Sequence, residues 1–166
     1  MPQVSVVIPV YNASKFPRET LGHVFAQTFK GYEVIVVDDG STDKSVSVVE
    51  EIAERYARPI RIISQANQGA AAARNAGARV AQGQYVAFLD ADDIWYPQKL
   101  GREVEVLEKH QGAIMVWSNW DVVDGVGRMV QSGFPAHQLT TYDDTPLAKL
   151  LGKKARCVHL SAILVR

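Results

Sequence analysis

Cysteine is nearly absent: Cys157 stands alone in 166 residues. One thiol can form neither an internal disulfide nor a cysteine-rich zinc site, and a reducing cytoplasm is the compartment expected of such a chain. A charge excess is absent too, since 18 Lys and Arg balance 18 Asp and Glu. A dedicated nucleic-acid surface normally leaves a basic excess, so nucleic acid is not an expected partner. No apolar run approaches the ~18–20 residues of a membrane span. The opening MPQVSVVIPVYN lacks the basic stretch and small-residue cleavage site of a secretory leader. Internal repeats and low-complexity tracts are missing as well. What is left is ordinary globular material, 47% hydrophobic and 22% charged. Its length suits one domain that buries a core without metal or disulfide support.

Short apolar runs alternate with helical patterns. Val4–Val10 (VSVVIPV) reads as a buried strand with Pro9 near its end, where a missing donor costs least. Ser14 offers a helix cap, Pro17 suits a first helical turn, and Leu21, Val24, Phe25 and Thr28 follow at helical spacing up to Gly31. Residues 32–37 read as the second strand. The capping types Ser41, Thr42 and Asp43 then precede a helix with Val46, Val49, Ile52, Ala53 and Tyr56 on one stripe. A short strand over 61–64 leads to an alanine-rich helix over 69–81, stopped at Gly83. Residues 85–89 make a fourth strand. Pro97 opens a helix with Leu100, Val104 and Leu107 inward and Gly112 as its stop, and 113–117 is a fifth strand. A hairpin over 120–130 turning at Asp124 and Gly125, a loop over 131–145, a short helix over 147–151 and a last strand over 158–165 complete the pattern.

Strands alternating with helices imply right-handed crossovers and a mainly parallel sheet. If strand order reverses after the third strand, the first and fourth become neighbours, and ligands bind at the carboxyl ends beside that switch point. Tyr11 and Asn12, Asp38 and Asp39, Asn67 to Gly69, and residues 90–93 all fall at such ends. One crevice can hold them all.

The acidic pair Asp90 and Asp92 carries the first chemistry. On an extended stretch, residues two apart point the same way, so both carboxylates can face one cation. Oxygen-only ligands at this count suit Mg²⁺ or Mn²⁺ together with phosphate oxygens. A plain strand-to-helix turn capped by Asp93 is the competing reading. Five acids at these ends, Asp38, Asp39, Asp90, Asp92 and Asp93, would repel one another unless a cation lay between them. Asp39 can accept hydrogen bonds from a base or ribose while Gly40 lets a ligand approach the backbone, or the pair can simply form a tight turn. Tyr11 can offer its ring to a base or pack on the first helix. No G-x-G-x-x-G follows the first strand, so the dinucleotide fingerprint is missing. Small residues over 69–77 let their helix lie close to the sheet, and Arg74 among them should meet an anion, either an internal Asp or a substrate phosphate.

VSVVIPVYN, YEVIVVDDGSTD, NQGAAAARNAG and GQYVAFLDADDIWYPQKL occur in this order. Together they resemble the N-terminal half of family 2 glycosyltransferases, inverting enzymes of the GT-A fold, strongly to about residue 118 and weakly to residue 166. The resemblance implies a Rossmann-like, mainly parallel sheet flanked by helices, with a hairpin towards the C-terminal part. It implies a nucleotide pocket built from Pro9, Tyr11, Asn12, Asp39, Gly40, Asn67, Gly69, Arg74 and Asp90, and Mn²⁺ or Mg²⁺ held at Asp90 and Asp92. The donor implied is a nucleoside-diphosphate sugar, most often a uridine one, and the acceptor a saccharide or lipid-linked hydroxyl. The family's general base is a downstream carboxylate in an acidic motif that no residue here matches, so it is expected beyond Arg166. Residues 1–166 then read as one GT-A domain truncated on its acceptor and base side.

Weaker signals remain. Trp95 and Tyr96 can touch the donor sugar or staple the next helix. Lys153, Lys154 and Arg156 can form a solvated turn or meet a membrane surface, which would give peripheral association at its inner face. Cys157 and His159 read as part of the last strand. A nucleotidyltransferase on a related sheet and a non-catalytic sugar-nucleotide-binding module are the competing functions. The former usually carries a Gly-rich basic loop after the first strand, where this chain has Tyr-Asn-Ala-Ser.

Overall fold

The computed structural model describes residues 1–124, 128–132 and 160–166. β1 (Val4–Val10) is buried at every position, as a central strand covered on both faces must be. It pairs in parallel with β2 (Tyr32–Asp38) and β4 (Tyr85–Phe88), and β3 (Ile60–Ser64) extends the sheet beyond β2. The order is β3-β2-β1-β4-β8-β5, with β5 spanning Met115–Trp117 and β8 Ile163–Val165. The reversal after β3 makes β1 and β4 neighbours, as expected, and opens the switch point between them. β8 runs antiparallel to both β4 and β5. β6 (Asp121–Val123) and β7 (Met129–Ser132) form a separate antiparallel pair.

Strand alternation assigns the two faces. Val4, Val6, Ile8 and Val10 of β1 share one apolar cluster with Leu21, Val24 and Phe25 of α1 (Pro17–Phe25), Val49 and Ile52 of α2 (Ser45–Tyr56), and Leu100, Val104 and Leu107 of α4 (Lys99–Lys109). Val7, Ile35 and Val37 face the other way, onto Ala73 of α3 (Ala70–Val80). The small residues do bring α3 close: a Cβ on Gly77 would lie 2.3 Å from Val7 Cγ1 and 3.1 Å from Val37 Cγ2. Pro9 costs β1 little. Val7 O accepts from Leu89 N and Val10 O from Asp39 N, so Pro9 turns its missing donor towards the side where β4 has ended.

Several boundaries differ from expectation. Phe16 and Lys44, not Ser14 or any of Ser41, Thr42 and Asp43, occupy the N-cap positions of α1 and α2, although Asp43 accepts from Ser45 N in the first turn of α2. Thr28 lies beyond α1, where its N–H and hydroxyl both donate to Pro97 O. α4 begins at Lys99, two residues after Pro97, because the Gln27 side chain accepts from Leu100 N–H and supplies the cap from another element. β5 starts at Met115. β7 includes Gln131 and Ser132, which pair with β6 where a loop is expected. A 3₁₀ turn, Leu160–Ala162, stands in the middle of the expected last strand, ahead of β8. Gly125, the 147–151 helix, Lys153, Lys154, Arg156, Cys157, Val158 and His159 lie outside the described residues. Among the described residues no helix is long and apolar enough to cross a membrane.

Candidate functional site

Hydrogen bonds connect the carboxyl ends of the first four strands in sequence around one rim. Asn12, after β1, takes the left-handed region (φ 47°), which asparagine tolerates. Its N–H donates to Ser41 Oγ (3.0 Å) and its Oδ1 accepts from Thr42 N (2.8 Å), so the loops after β1 and β2 are tied together. Tyr11 beside it is 52% exposed. About half of its surface is therefore open to solvent.

Asp43 strengthens the same tie. Its carboxylate accepts from the Ser45 hydroxyl, from Ser45 N (2.9 Å) and from Ser14 N (3.1 Å), and these bonds hold its pKa down at about 2. A carboxyl depressed by folding stabilises the fold above its unfolded value of ~4, and that contribution fades as pH falls towards 2. Asp43→Asn is therefore expected to flatten the acid limb of a stability–pH curve between about pH 4 and 2, followed by chemical denaturation. An unchanged limb would contradict this assignment.

Asp38 and Asp39 are buried at the end of β2. Asp38 Oδ1 accepts from Ser41 N at 3.0 Å, closing the turn. Asp39 Oδ1 accepts from Gln65 Nε2 (2.7 Å) and Gln68 N (2.9 Å), and Oδ2 from Gly69 N (2.7 Å). Burial pushes the Asp39 carboxyl up, but the bonds from Gln68, Gln65 and Gly69 together outweigh it and hold it below the usual range. A carboxylate offers about four acceptor sites; three are taken, and the one left is on Oδ2. Gly40 is required here, because φ is +78° and a Cβ would sit 3.0 Å from Asn67 N. Gly69, at φ +88°, turns the exposed Asn67–Gln68 segment into α3 and frees its own N–H for Asp39.

The acidic turn departs from expectation. After β4 the chain does not stay extended: Asp93 N–H donates to Asp90 O at 3.1 Å, closing a turn over 90–93. Asp90 and Asp92 are thus on a turn and not on one side of a strand. Asp90 Oδ1 pairs with Arg74 Nη2 of α3, while Asp92 is exposed. Arg74 is 16% exposed, and its Nε is buried without a hydrogen-bond partner. The charge crowding foreseen among the five acids is also relieved differently. Amide donors bond to Asp38 and Asp39, and the Arg74 guanidinium pairs with Asp90. No group of three or more His, Cys, Asp or Glu able to hold a metal occurs among the described residues. The donor set still fits a hard cation of the kind that takes one or two carboxylates and completes its shell with phosphate and water oxygens. Arg74 Nε, an orphaned donor beside Asp90, fits the phosphate.

Four residues of this region escape a sequence reading. Thr20 and Gln27 lie on or next to the apolar face of α1, where polar residues look incidental. Their bonds go to the segment after β4: Thr20 Oγ1 to Ala91 O (2.6 Å) and Gln27 Nε2 to Tyr96 O (2.8 Å). Ser161 and Gln65 are common loop types with no motif around them. Trp95 is buried, donates from Nε1 to Ser161 O (2.7 Å) and lies under Lys99 (4.5 Å), so it staples α4 and does not line the site. Tyr96 is exposed, with its hydroxyl donating to Asp121 Oδ2 (3.1 Å).

The chain as a whole is similar to known proteins. The family model for Glycosyl transferase family 2 matches residues 5–164. The uncharacterized glycosyltransferase alr2836 of Nostoc sp. is 43% identical over 123 residues, which are 74% of this chain and 38% of that protein. Among solved structures, S. aureus TarS 1-349 in complex with UDP-GlcNAc has a TM-score of 0.68 at 29% identity, over 75% of this chain and 36% of that one. The mannosyltransferase PcManGT from Pyrobaculum calidifontis, in complex with GDP-Man and Mn²⁺, has a TM-score of 0.66 at 30% identity, over 70% of this chain and 35% of that one. The chain spans well under half the length of these proteins. Its sheet is the GT-A sheet, and the chain belongs to glycosyl transferase family 2.

Proposed function

We propose that this chain is the donor-binding part of a cytoplasmic glycosyltransferase that moves a sugar from a nucleoside diphosphate, UDP, to a saccharide or lipid-linked hydroxyl with inversion. The observation that carries the reading is Arg74, a guanidinium shared with Asp90 that keeps a buried, unpartnered Nε beside the acidic turn. A charged donor left unsatisfied is costly, and a diphosphate oxygen at this place would satisfy it. TarS 1-349 in complex with UDP-GlcNAc and PcManGT in complex with GDP-Man support a nucleotide sugar at such a sheet.

Each strand end then has a role. Tyr11 offers its exposed ring to the base, and Asp39 offers its remaining Oδ2 lone pair to the nucleoside, with Gly40 leaving room for close approach. Pro9, Asn12, Asn67 and Gly69 shape the rim. Arg74 and Asp90 fix the ribose and phosphate side. Asp90 and Asp92 would hold Mn²⁺ or Mg²⁺, which supplies charge neutralisation on the departing diphosphate. In the transfer, the acceptor oxygen bonds to the anomeric carbon as the bond from that carbon to the diphosphate breaks. The acceptor proton passes to a carboxylate, which we assign to the longer protein beyond residue 166, in keeping with the three proteins named above, of which this chain covers 38%, 36% and 35%.

Calorimetric titration with UDP and with GDP, each in Mn²⁺ and in EDTA, tests the reading. UDP in Mn²⁺ is expected to bind at least ten-fold tighter than UDP in EDTA. Equal affinity in the two buffers would overturn the metal assignment, and preference for GDP would overturn the uridine one.

A further inference from the structure

The acidic turn belongs to neither a strand nor a helix, and its backbone is held from outside. Ladder bonding of β4 to β1 ends at Leu89 N, which donates to Val7 O (3.0 Å), and α4 begins only at Lys99. Backbone groups in between must find partners other than secondary structure. Asp90 N–H donates to Ser161 Oγ (2.9 Å), and Ala91 O accepts from Thr20 Oγ1 (2.6 Å). Further along, Trp95 O meets His23 Nδ1 (3.2 Å), Tyr96 O accepts from Gln27, and Pro97 O accepts from Thr28. Those later bonds serve the entry to α4. Among the described residues, the side chains of Thr20 and Ser161 hold the backbone of the acidic turn itself, at Ala91 O and Asp90 N. Both are buried, at 1% and 6% exposure, and they arrive from opposite ends of the chain.

The two acids differ in what orients them. Asp90 is steered by its own ion pair with Arg74. The exposed Asp92 carboxylate takes no hydrogen bond from a described residue, so its direction depends on the backbone beneath it. We infer that Thr20 and Ser161 are positioning residues for the donor site: by pinning Ala91 O and Asp90 N–H they set the turn that presents Asp92 to the cation and diphosphate. This rests on the donor-site reading above. Displacement of a reacting group by about 1 Å can cost on the order of 10²-fold, so two side chains that touch no substrate can control the metal-dependent step.

Thr20→Val removes the hydroxyl and keeps the shape, Thr20→Ser keeps the hydroxyl, and Ser161→Ala releases the other pin from a different element. UDP affinity is read in Mn²⁺ and in EDTA, alongside hydrogen exchange of the Asp90 amide in the metal-free protein. Thr20→Val and Ser161→Ala are each expected to lose five-fold or more of the Mn²⁺-dependent gain, with the EDTA affinity within two-fold of wild type. Asp90 should exchange faster in Ser161→Ala, and Thr20→Ser should bind as wild type does. A general loosening of the fold would instead lower both affinities together, which would overturn the role. A metal-responsive wild type with equally responsive variants would overturn the role alone. A wild type indifferent to Mn²⁺ would overturn the donor-site reading and this role with it. Should Thr20→Val fail to fold, Ser161→Ala and its exchange rate decide the matter.

Discussion

Asp92→Ala is expected to abolish the Mn²⁺-dependent gain in UDP affinity and to lower sugar transfer by the full-length protein by about 10²-fold or more. Even partners one layer removed from a metal typically contribute 10–100-fold to its affinity or to activity, and a direct ligand should not contribute less. The same substitution should leave stability unchanged, because Asp92 is exposed and bonds to no described residue. That separation makes the experiment clean: turnover and metal response fall while the denaturation midpoint stays. Asp121→Ala, which removes the acceptor of the Tyr96 hydroxyl, should leave the metal response intact. Wild-type metal response in Asp92→Ala would show that the acidic turn is not the cation site.

Asp39→Ala should behave differently, losing binding and stability together. The carboxylate is 2% exposed and satisfies Gln65 Nε2, Gln68 N and Gly69 N. Leaving a buried donor unpaired costs about 1–3 kcal/mol. Partial hydration of the exposed Gln68 and Gly69 keeps the expected net loss near 2 kcal/mol. The same change removes the acceptor offered to the nucleoside, so UDP affinity should fall ten-fold or more in both Mn²⁺ and EDTA. Asp39→Asn keeps an acceptor oxygen for part of this network and should lie between the two. If Asp39→Ala folds normally and binds UDP like wild type, the nucleoside pocket lies elsewhere.

Much of the frame was legible because its signals are local. The run VSVVIPV can be buried on both faces only in a central strand, and Gly77 among alanines announces a helix pressed on the sheet. Asp38 and Asp39 at a strand end, and Arg74 seeking an anion, were placed correctly around one rim. The misreadings share a cause, which is that distant groups supplied what local chemistry seemed to require. Residues 90–93 allow either an extended pair of acids or a turn; the turn is closed locally by Asp93 N–H to Asp90 O, and the bonds that anchor it come from Thr20 and Ser161, on α1 and before β8. Pro97 looked like the first residue of a helix, yet the cap of α4 is Gln27 from the end of α1. The antiparallel β8 was hidden for a related reason, since three residues carry too little pattern to reveal strand direction.

The position of β8 also orders events during synthesis. β5 has β8 as its sole neighbour in the six-stranded sheet, and β8 is its last strand in the chain. A ribosome delivering this chain from its amino end releases β1 to β4 and three helices long before Ser161 exists. Pairings of such high sequence separation form late, after the loop-closure cost has been met. The part of the rim closed by Asn12, Asp39 and Gly69 can therefore be complete while the acidic turn still lacks the bond from Ser161. On the donor-site reading proposed above, competence to hold a nucleoside precedes competence to orient its diphosphate.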